Sequence, residues 1–174
     1  MSTPARTEPA TAAAAVRLAR PEEYDAVGAL TVSAYVAGGH LPAGADYTAE
    51  LREVERRAAA DRTEVLVALD EQGRVAGSVT LAFPGSPYAE VSRDGEAEFR
   101  MLAVAPPVSG RGVGTTLVRA CLARARGCTG MALSTQASMG AAHRIYGRLG
   151  FHRAPTRDWS PVPGVDLHVY ELAL

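Results

Sequence analysis

Three glycines alternate with Arg111 and Val113 in Gly110-Arg111-Gly112-Val113-Gly114, just after the paired prolines Pro106-Pro107 and at the start of an apolar-periodic run. Glycines at every second position leave successive backbone N–H groups unshielded by side chains. A helix opening at that point adds its own unpaired donors and the positive end of its dipole. Such a place binds a phosphate or pyrophosphate. Two better-known phosphate loops are excluded: a dinucleotide fingerprint needs a third glycine where Leu117 stands, and a Walker loop needs a lysine, which this chain lacks. A second constellation is Ala142-His143-Arg144-Ile145-Tyr146, followed by Leu149-Gly150-Phe151. Taken alone, Tyr146 reads as a proton donor or as a core tyrosine with its hydroxyl satisfied. Glu98 and Glu96, upstream of the glycines, are carboxylates able to take a proton. Glu98 also reads as a solvated strand residue beside Arg100.

The elements that must position these groups follow from periodicity. Val113, Leu117, Val118, Cys121, Leu122 and Ala125 share one face of a helix, Arg119, Arg124 and Arg126 lie off it, and Gly127 ends it. Residues 1–15 are a Thr/Pro/Ala-rich stretch read as a disordered leader, with no apolar run long enough for a signal segment. Val16 to Ala19 is a short strand; Pro21-Glu22-Glu23 opens a helix to about Ala37. The loop 38–46 is a flap or a connector, and a second helix runs from about Tyr47 to Ala60 with Arg52, Arg56 and Arg57 facing water. Thr63 to Asp70 and Arg74 to Phe83 are strands joined at Glu71-Gln72-Gly73, followed by the polar insertion Pro84 to Glu96 and the strand ending at Val104. Thr129 to Thr135 is a strand, Met139 to Leu149 a short helix, Phe151 begins a strand, Trp159 to Gly164 is a turn, and Val165 to Leu172 is the last strand. This order predicts an α/β domain with one mixed sheet.

Composition narrows the function classes. At 174 residues the chain forms one domain with a sizeable core, and a net charge of −1 argues against a nucleic-acid surface. All 18 basic residues are arginine, which excludes a Schiff-base lysine. Cys121 and Cys128, seven residues apart and largely on one helix, would hold their Cα atoms roughly 10 Å apart, too far for a disulfide, so a reducing compartment is expected. The histidines His40, His143, His152 and His168 show no metal-ligand spacing, so no metal is expected. There is no Gly-x-Ser-x-Gly elbow and no stretch apolar enough to span a bilayer.

Leu102-Ala103-Val104-Ala105-Pro106, Gly110 to Gly114, Leu117 and the Ala142 to Phe151 segment together resemble the GNAT superfamily of acetyl-CoA-dependent N-acyltransferases. The resemblance covers nearly the whole chain after the leader. It implies a single-domain fold over residues 16–174: a central mixed, mostly antiparallel sheet flanked by helices and splayed between the fourth and fifth strands. It also implies acetyl-CoA as co-substrate. Backbone N–H groups of Leu102, Ala103 and Val104 would serve the thioester carbonyl. Ser109, Gly110, Arg111, Gly112, Val113, Gly114 and Thr115 would hold the pyrophosphate, with Arg111 charged where the family usually places a glutamine or arginine at Ser109. Met139 stands where the family often has asparagine.

By the same resemblance Tyr146 protonates the departing thiolate and Glu98 takes the amine's proton, with Glu96 or water as substitutes. Phenol-to-thiolate transfer is uphill by roughly 2 kcal/mol from ordinary pKa values, and deprotonating an amine near pH 7.5 costs roughly 4 kcal/mol. Substrate choice would come from Tyr35 to Tyr47, Tyr88 to Glu96 and Trp159 to Asp166, where Tyr35, Tyr47, Tyr88 and Trp159 could wall an apolar pocket and Asp158 or Asp166 could attract an ammonium. The expected activity is direct transfer of acetyl from acetyl-CoA to a primary amine of a small molecule. It would take place in the cytoplasm, in a chain able to form a homodimer, with no nucleic acid or membrane partner. The rivals are a non-catalytic acyl-CoA sensor, a protein N-terminal or lysine acetyltransferase, and a nucleotide-phosphate binder.

Overall fold

The structure is a computed structural model that describes residues 15–41 and 44–174. The expected leader lies outside the described residues except for Ala15. Strands β1 (Val16–Leu18), β2 (Thr63–Leu69), β3 (Val75–Ala82), β4 (Glu96–Val104), β5 (Gly130–Gln136), β6 (His152–Arg153), β7 (Trp159–Val162) and β8 (Val165–Ala173) form one sheet. Its order is β1-β2-β3-β4-β5-β8-β6, with β7 paired to β8. All pairings are antiparallel except β4 with β5, giving the mixed, mostly antiparallel sheet that the sequence predicts.

Helices cover both faces, which explains why β2 reads as a continuous apolar run rather than an alternation. Leu66 and Ala68 join the core under α4 (Val113–Arg124), with Val79, Leu81, Phe99, Leu117 and Met131. Val65 and Val67 face the other way, onto Val27 of α1 (Tyr24–Ala37) and Val54 of α3 (Val54–Ala58). Each such side chain removed from water contributes about 1.5–3 kcal/mol.

Three elements differ from the sequence expectation. The helix expected over 47–60 is broken at Glu53 into α2 (Tyr47–Arg52) and α3. Arg57, expected in water, is 1% exposed and donates to the carbonyls of Glu50 (2.6 Å) and Leu51 (3.1 Å) in the last turn of α2, just before the break. Trp159 to Val162 is a strand rather than part of a turn, because only Pro163 and Gly164 are needed to close a hairpin in which Val162 faces Val165. The strand expected from Phe151 is only the pair His152–Arg153, with Phe151 itself packed in the core.

Candidate active site

A bulge in β4 creates the opening on which the site depends. Met101 and Leu102 together oppose Val79, where the β3–β4 register shifts, and Met101 adopts φ 55, a conformation that costs a non-glycine residue about 1–3 kcal/mol. Beyond it β4 turns away from β5. The two strands pair only at Glu96↔Gly130, Ala97↔Met131 and Glu98↔Ala132, although β5 stays paired with β8 as far as Gln136. Residues 99–104 and 133–136 therefore flank a wedge, the splay expected between the fourth and fifth strands. Past Glu98 the β5-facing edge of β4 has no strand partner; on its other edge Ala103 and Val104 pair with Ser78 and Gly77, while Leu102 lies in the bulge.

At the wide end of the wedge, Ala105 bonds to Ala76 (2.8 Å), and a single 3₁₀ turn, Pro106–Val108, leads into the glycine loop. Gly110 and Gly112 have φ of 81 and 86, and no atom lies within 4 Å of where a Cβ would stand on either. Gly112 is the N-cap of α4, and no side chain caps that end, so the first-turn amides of Val113, Gly114 and Thr115 are free of protein acceptors. Ser109 and Arg111 are exposed on the same rim. A positive dipole end, open space and uncapped amides together make an anion cradle. Gly114 has a different reason to be glycine: a Cβ there would come within 2.9 Å of the Ile145 Cδ1 atom, so it lets α4 pack onto α5 (Gly140–Arg148).

That close packing brings Tyr146 to the wedge. Its ring is 4% exposed and lies edge-on to Phe99 of β4 at 5.6 Å, with Tyr170 at 5.8 Å and Phe151 at 6.1 Å. Burial, with smaller contributions from Tyr35, Tyr170 and Cys121, drives the phenol far above its ordinary range, so it stays protonated at any working pH.

Glu98 departs from the solvated-strand reading of the sequence. It is 1% exposed, not solvated, and its Oε2 atom accepts the N–H groups of Glu90 (2.8 Å), Val91 (2.8 Å) and Ser92 (3.0 Å). Burial raises its pKa while these three bonds oppose the rise. A carboxylate so committed anchors the insertion 84–95 to the sheet. Glu96 is likewise engaged, by the Arg93 N–H (2.8 Å) and by Arg157 (2.7 Å), which also reaches Glu171 and the Val91 carbonyl.

The acceptor side also differs in part. Arg100, which the sequence reading did not single out, bridges Glu90 at 3.0 Å and Glu50 at 3.8 Å. With Tyr88, Glu53 and Arg56 these line a cavity of about 460 Å³. Tyr88 thus lines a cavity, but a charged one rather than the apolar pocket expected, and Tyr35 and Tyr47 lie beside Arg100, their phenols raised chiefly by burial. Asp158 is held bidentately by Arg153 at 2.7 Å and accepts the Val169 N–H, and Asp166 accepts the Ser160 hydroxyl, so both are occupied. The loop after α1 is tied to the end of β5: Gln136 donates to the His40 carbonyl (3.1 Å), and the His40 ring meets the Ser138 hydroxyl (3.1 Å). Among the described residues no cluster of side chains could hold a metal ion, and no helix is long and apolar enough to cross a membrane.

Comparison with known proteins agrees with this geometry. The chain is similar over 92% of its length to 98% of a GNAT-family acetyltransferase from Staphylococcus aureus Mu50, at 13% identity and a TM-score of 0.74. It is similar to a GCN5-related N-acetyltransferase from Kribbella flavida at 23% identity and a TM-score of 0.69, covering 93% and 98% of the two chains. A GNAT-family acetyltransferase from Brucella melitensis, solved in complex with acetyl-CoA, matches at 24% identity and a TM-score of 0.59 over 92% and 87%. No curated protein matches by sequence. The family model described as Acetyltransferase (GNAT) family matches residues 24–151, a span that holds the bulge, the glycine loop and Tyr146. The chain belongs to the GNAT acetyltransferase family.

Proposed function

We propose that the protein transfers an acetyl group from acetyl-CoA to a primary amine of a small molecule, by direct attack with both substrates bound. The observation that carries this reading is the wedge between β4 and β5, with an open anion cradle at one end and a buried, protonated phenol beside it. The Brucella melitensis relative binds acetyl-CoA, and the cradle formed by Ser109 to Thr115 fits the pyrophosphate of the same molecule. Within Leu102 to Val104, an amide turned toward β5 would suit the oxygen that becomes negative as the amine adds to the thioester carbon. Tyr146 then gives its proton to the sulfur as the carbon–sulfur bond breaks. Glu98, considered as the base from sequence, fits better as the anchor of the insertion, because its acceptor atom already holds three N–H groups.

The cavity of about 460 Å³ beside Arg100, of mixed charge, suits a small amine rather than an extended peptide. The unpaired thiols Cys121 and Cys128 support a cytoplasmic location, and a homodimer, expected from the family, is read by light scattering of the purified chain. The functional test pairs thermal shift with thiol release. Coenzyme A should stabilise the chain well beyond ATP or NAD, and acetyl-CoA should release thiol with at least one amine of a panel. Stabilisation without thiol release would make the protein a sensor, and equal stabilisation by ATP would make it a general phosphate binder.

A further inference from the structure

The proposed transfer needs a group to take a proton from the attacking nitrogen; Glu98 holds three backbone N–H groups through Oε2, and Glu96 is paired with Arg157 and the Arg93 N–H. His143 is not committed in that way. It lies one turn before Tyr146 on α5, with the two ring centres 6.5 Å apart. Its Nε2 atom is 3.3 Å from the Thr135 hydroxyl, at the end of β5 where the wedge is widest. In the tautomer whose Nε2–H donates to Thr135, Nδ1 keeps its lone pair.

The ring rests on Tyr170 at 5.3 Å, tilted by 32°, which fixes its plane without sealing it from solvent. The charged and titratable groups around it are Tyr146 on its own helix, Tyr170 and His168 on β8, and Arg153 on β6. None is a carboxylate. Burial lowers its pKa first, and His168 and Arg153 lower it further against the backbone of Gln136, so the imidazole is neutral at neutral pH.

We propose that His143 is the general base of the acetyl transfer, taking the amine's proton as the carbon–nitrogen bond forms. The inference rests on the transferase reading above. The neutral amine's lone pair adds to the thioester carbon, and the carbonyl pair moves to oxygen. As that bond forms the nitrogen becomes acidic, and one N–H proton passes to the imidazole. The carbonyl then re-forms, the carbon–sulfur bond breaks, and sulfur takes the Tyr146 proton. The imidazolium returns its proton to the phenolate, so the site resets with coenzyme A and the amide as products and no net proton held.

The test is His143→Gln beside the wild-type chain, assayed for thiol release from pH 5 to 9, with coenzyme A thermal shift on each preparation. The variant should keep the thermal shift and the KM for acetyl-CoA, and lose about 10²-fold in kcat at pH 8. The ratio of wild-type to variant rate cancels the amine's own ionisation. That ratio should shrink toward unity as pH falls through the titration of the imidazole, since the protonated ring is no base. Free imidazole should restore part of the rate of His143→Ala. An unchanged kcat, or a loss of the same size at every pH, would overturn the assignment while leaving the transferase reading intact. A wild-type chain that binds coenzyme A but releases no thiol with any amine would overturn both.

Discussion

Replacing Tyr146 by phenylalanine removes one oxygen atom from a side chain that is 4% exposed, and the structure separates what that should do to the fold from what it should do to the chemistry. The ring's contacts with Phe99, Phe151 and Tyr170 involve carbon and survive the change. No hydrogen bond contributes to the shift of the phenol, so the variant loses no protein partner. The stability change should therefore stay within about 1 kcal/mol, the scale of a single hydrogen bond. Turnover should fall by about 10²–10⁴-fold, the usual contribution of a positioned acid. The KM for acetyl-CoA should hardly move, because the cradle is formed by backbone at Gly110 to Thr115. Thiol release and melting temperature measured on one preparation give both numbers. An ordinary phenol would give an alkaline limb near pH 10. Burial moves this one upward, so the wild-type profile should show no limb there that the variant lacks. A phenylalanine variant with wild-type turnover and an unchanged fold would refute the acid role and leave water as the donor.

Gly112→Ala puts a Cβ into open space but forces φ 86 on an L-residue, so it should lower stability by about 1–2 kcal/mol and raise the KM for acetyl-CoA more than that for amine. Gly114→Val should instead disturb the contact with Ile145 and lower the melting temperature, a split that differential scanning calorimetry and paired KM values would show. Glu98→Gln keeps an oxygen to accept the three N–H groups and loses their charge assistance, so it should destabilise by about 1–3 kcal/mol while kcat stays within a few-fold; a kcat loss near 10²-fold would restore Glu98 as a base. The hydrogen bond from Arg153 holds Asp158 down to about 2 from an ordinary 3.8, so its contribution to stability is present above the ordinary value and lost as pH falls toward 2. The melting-temperature gap between wild type and Asp158→Asn should accordingly close across that window.

Much of the site was legible because it is written in local chemistry. Alternating glycines before an apolar-periodic run specify an uncapped helix end, and the structure has one at Gly112. The mixed sheet followed from strand order, and the splay from family resemblance. What was not legible depends on contacts far apart in the chain. Arg57 sits in a polar run that looks solvated, yet it folds back on a helix break that only tertiary packing creates. Glu98 alternates with apolar neighbours as an exposed strand residue would, and its burial is decided by an insertion that wraps over it. Met101 carries no local mark of a left-handed backbone, since glycine or asparagine would be the usual signal. His143 was visible only as a histidine without metal spacing; its place beside Thr135 and Tyr170 needed the fold.

The brevity of the β4–β5 pairing has a consequence for how the molecule holds together. Among the described residues, three residue pairs join β4 to β5 in the sheet, and across that short seam Leu66, Phe99, Met131 and Tyr146 share one apolar core. The two sides of the seam are therefore held more by side-chain packing than by strand hydrogen bonds. A ligand lying in the wedge and bonding to the vacant β4 amides acts as a strand that the chain itself does not supply. It would lengthen the seam, so that occupancy of the wedge adds backbone continuity where side-chain packing otherwise joins the two sides of the sheet.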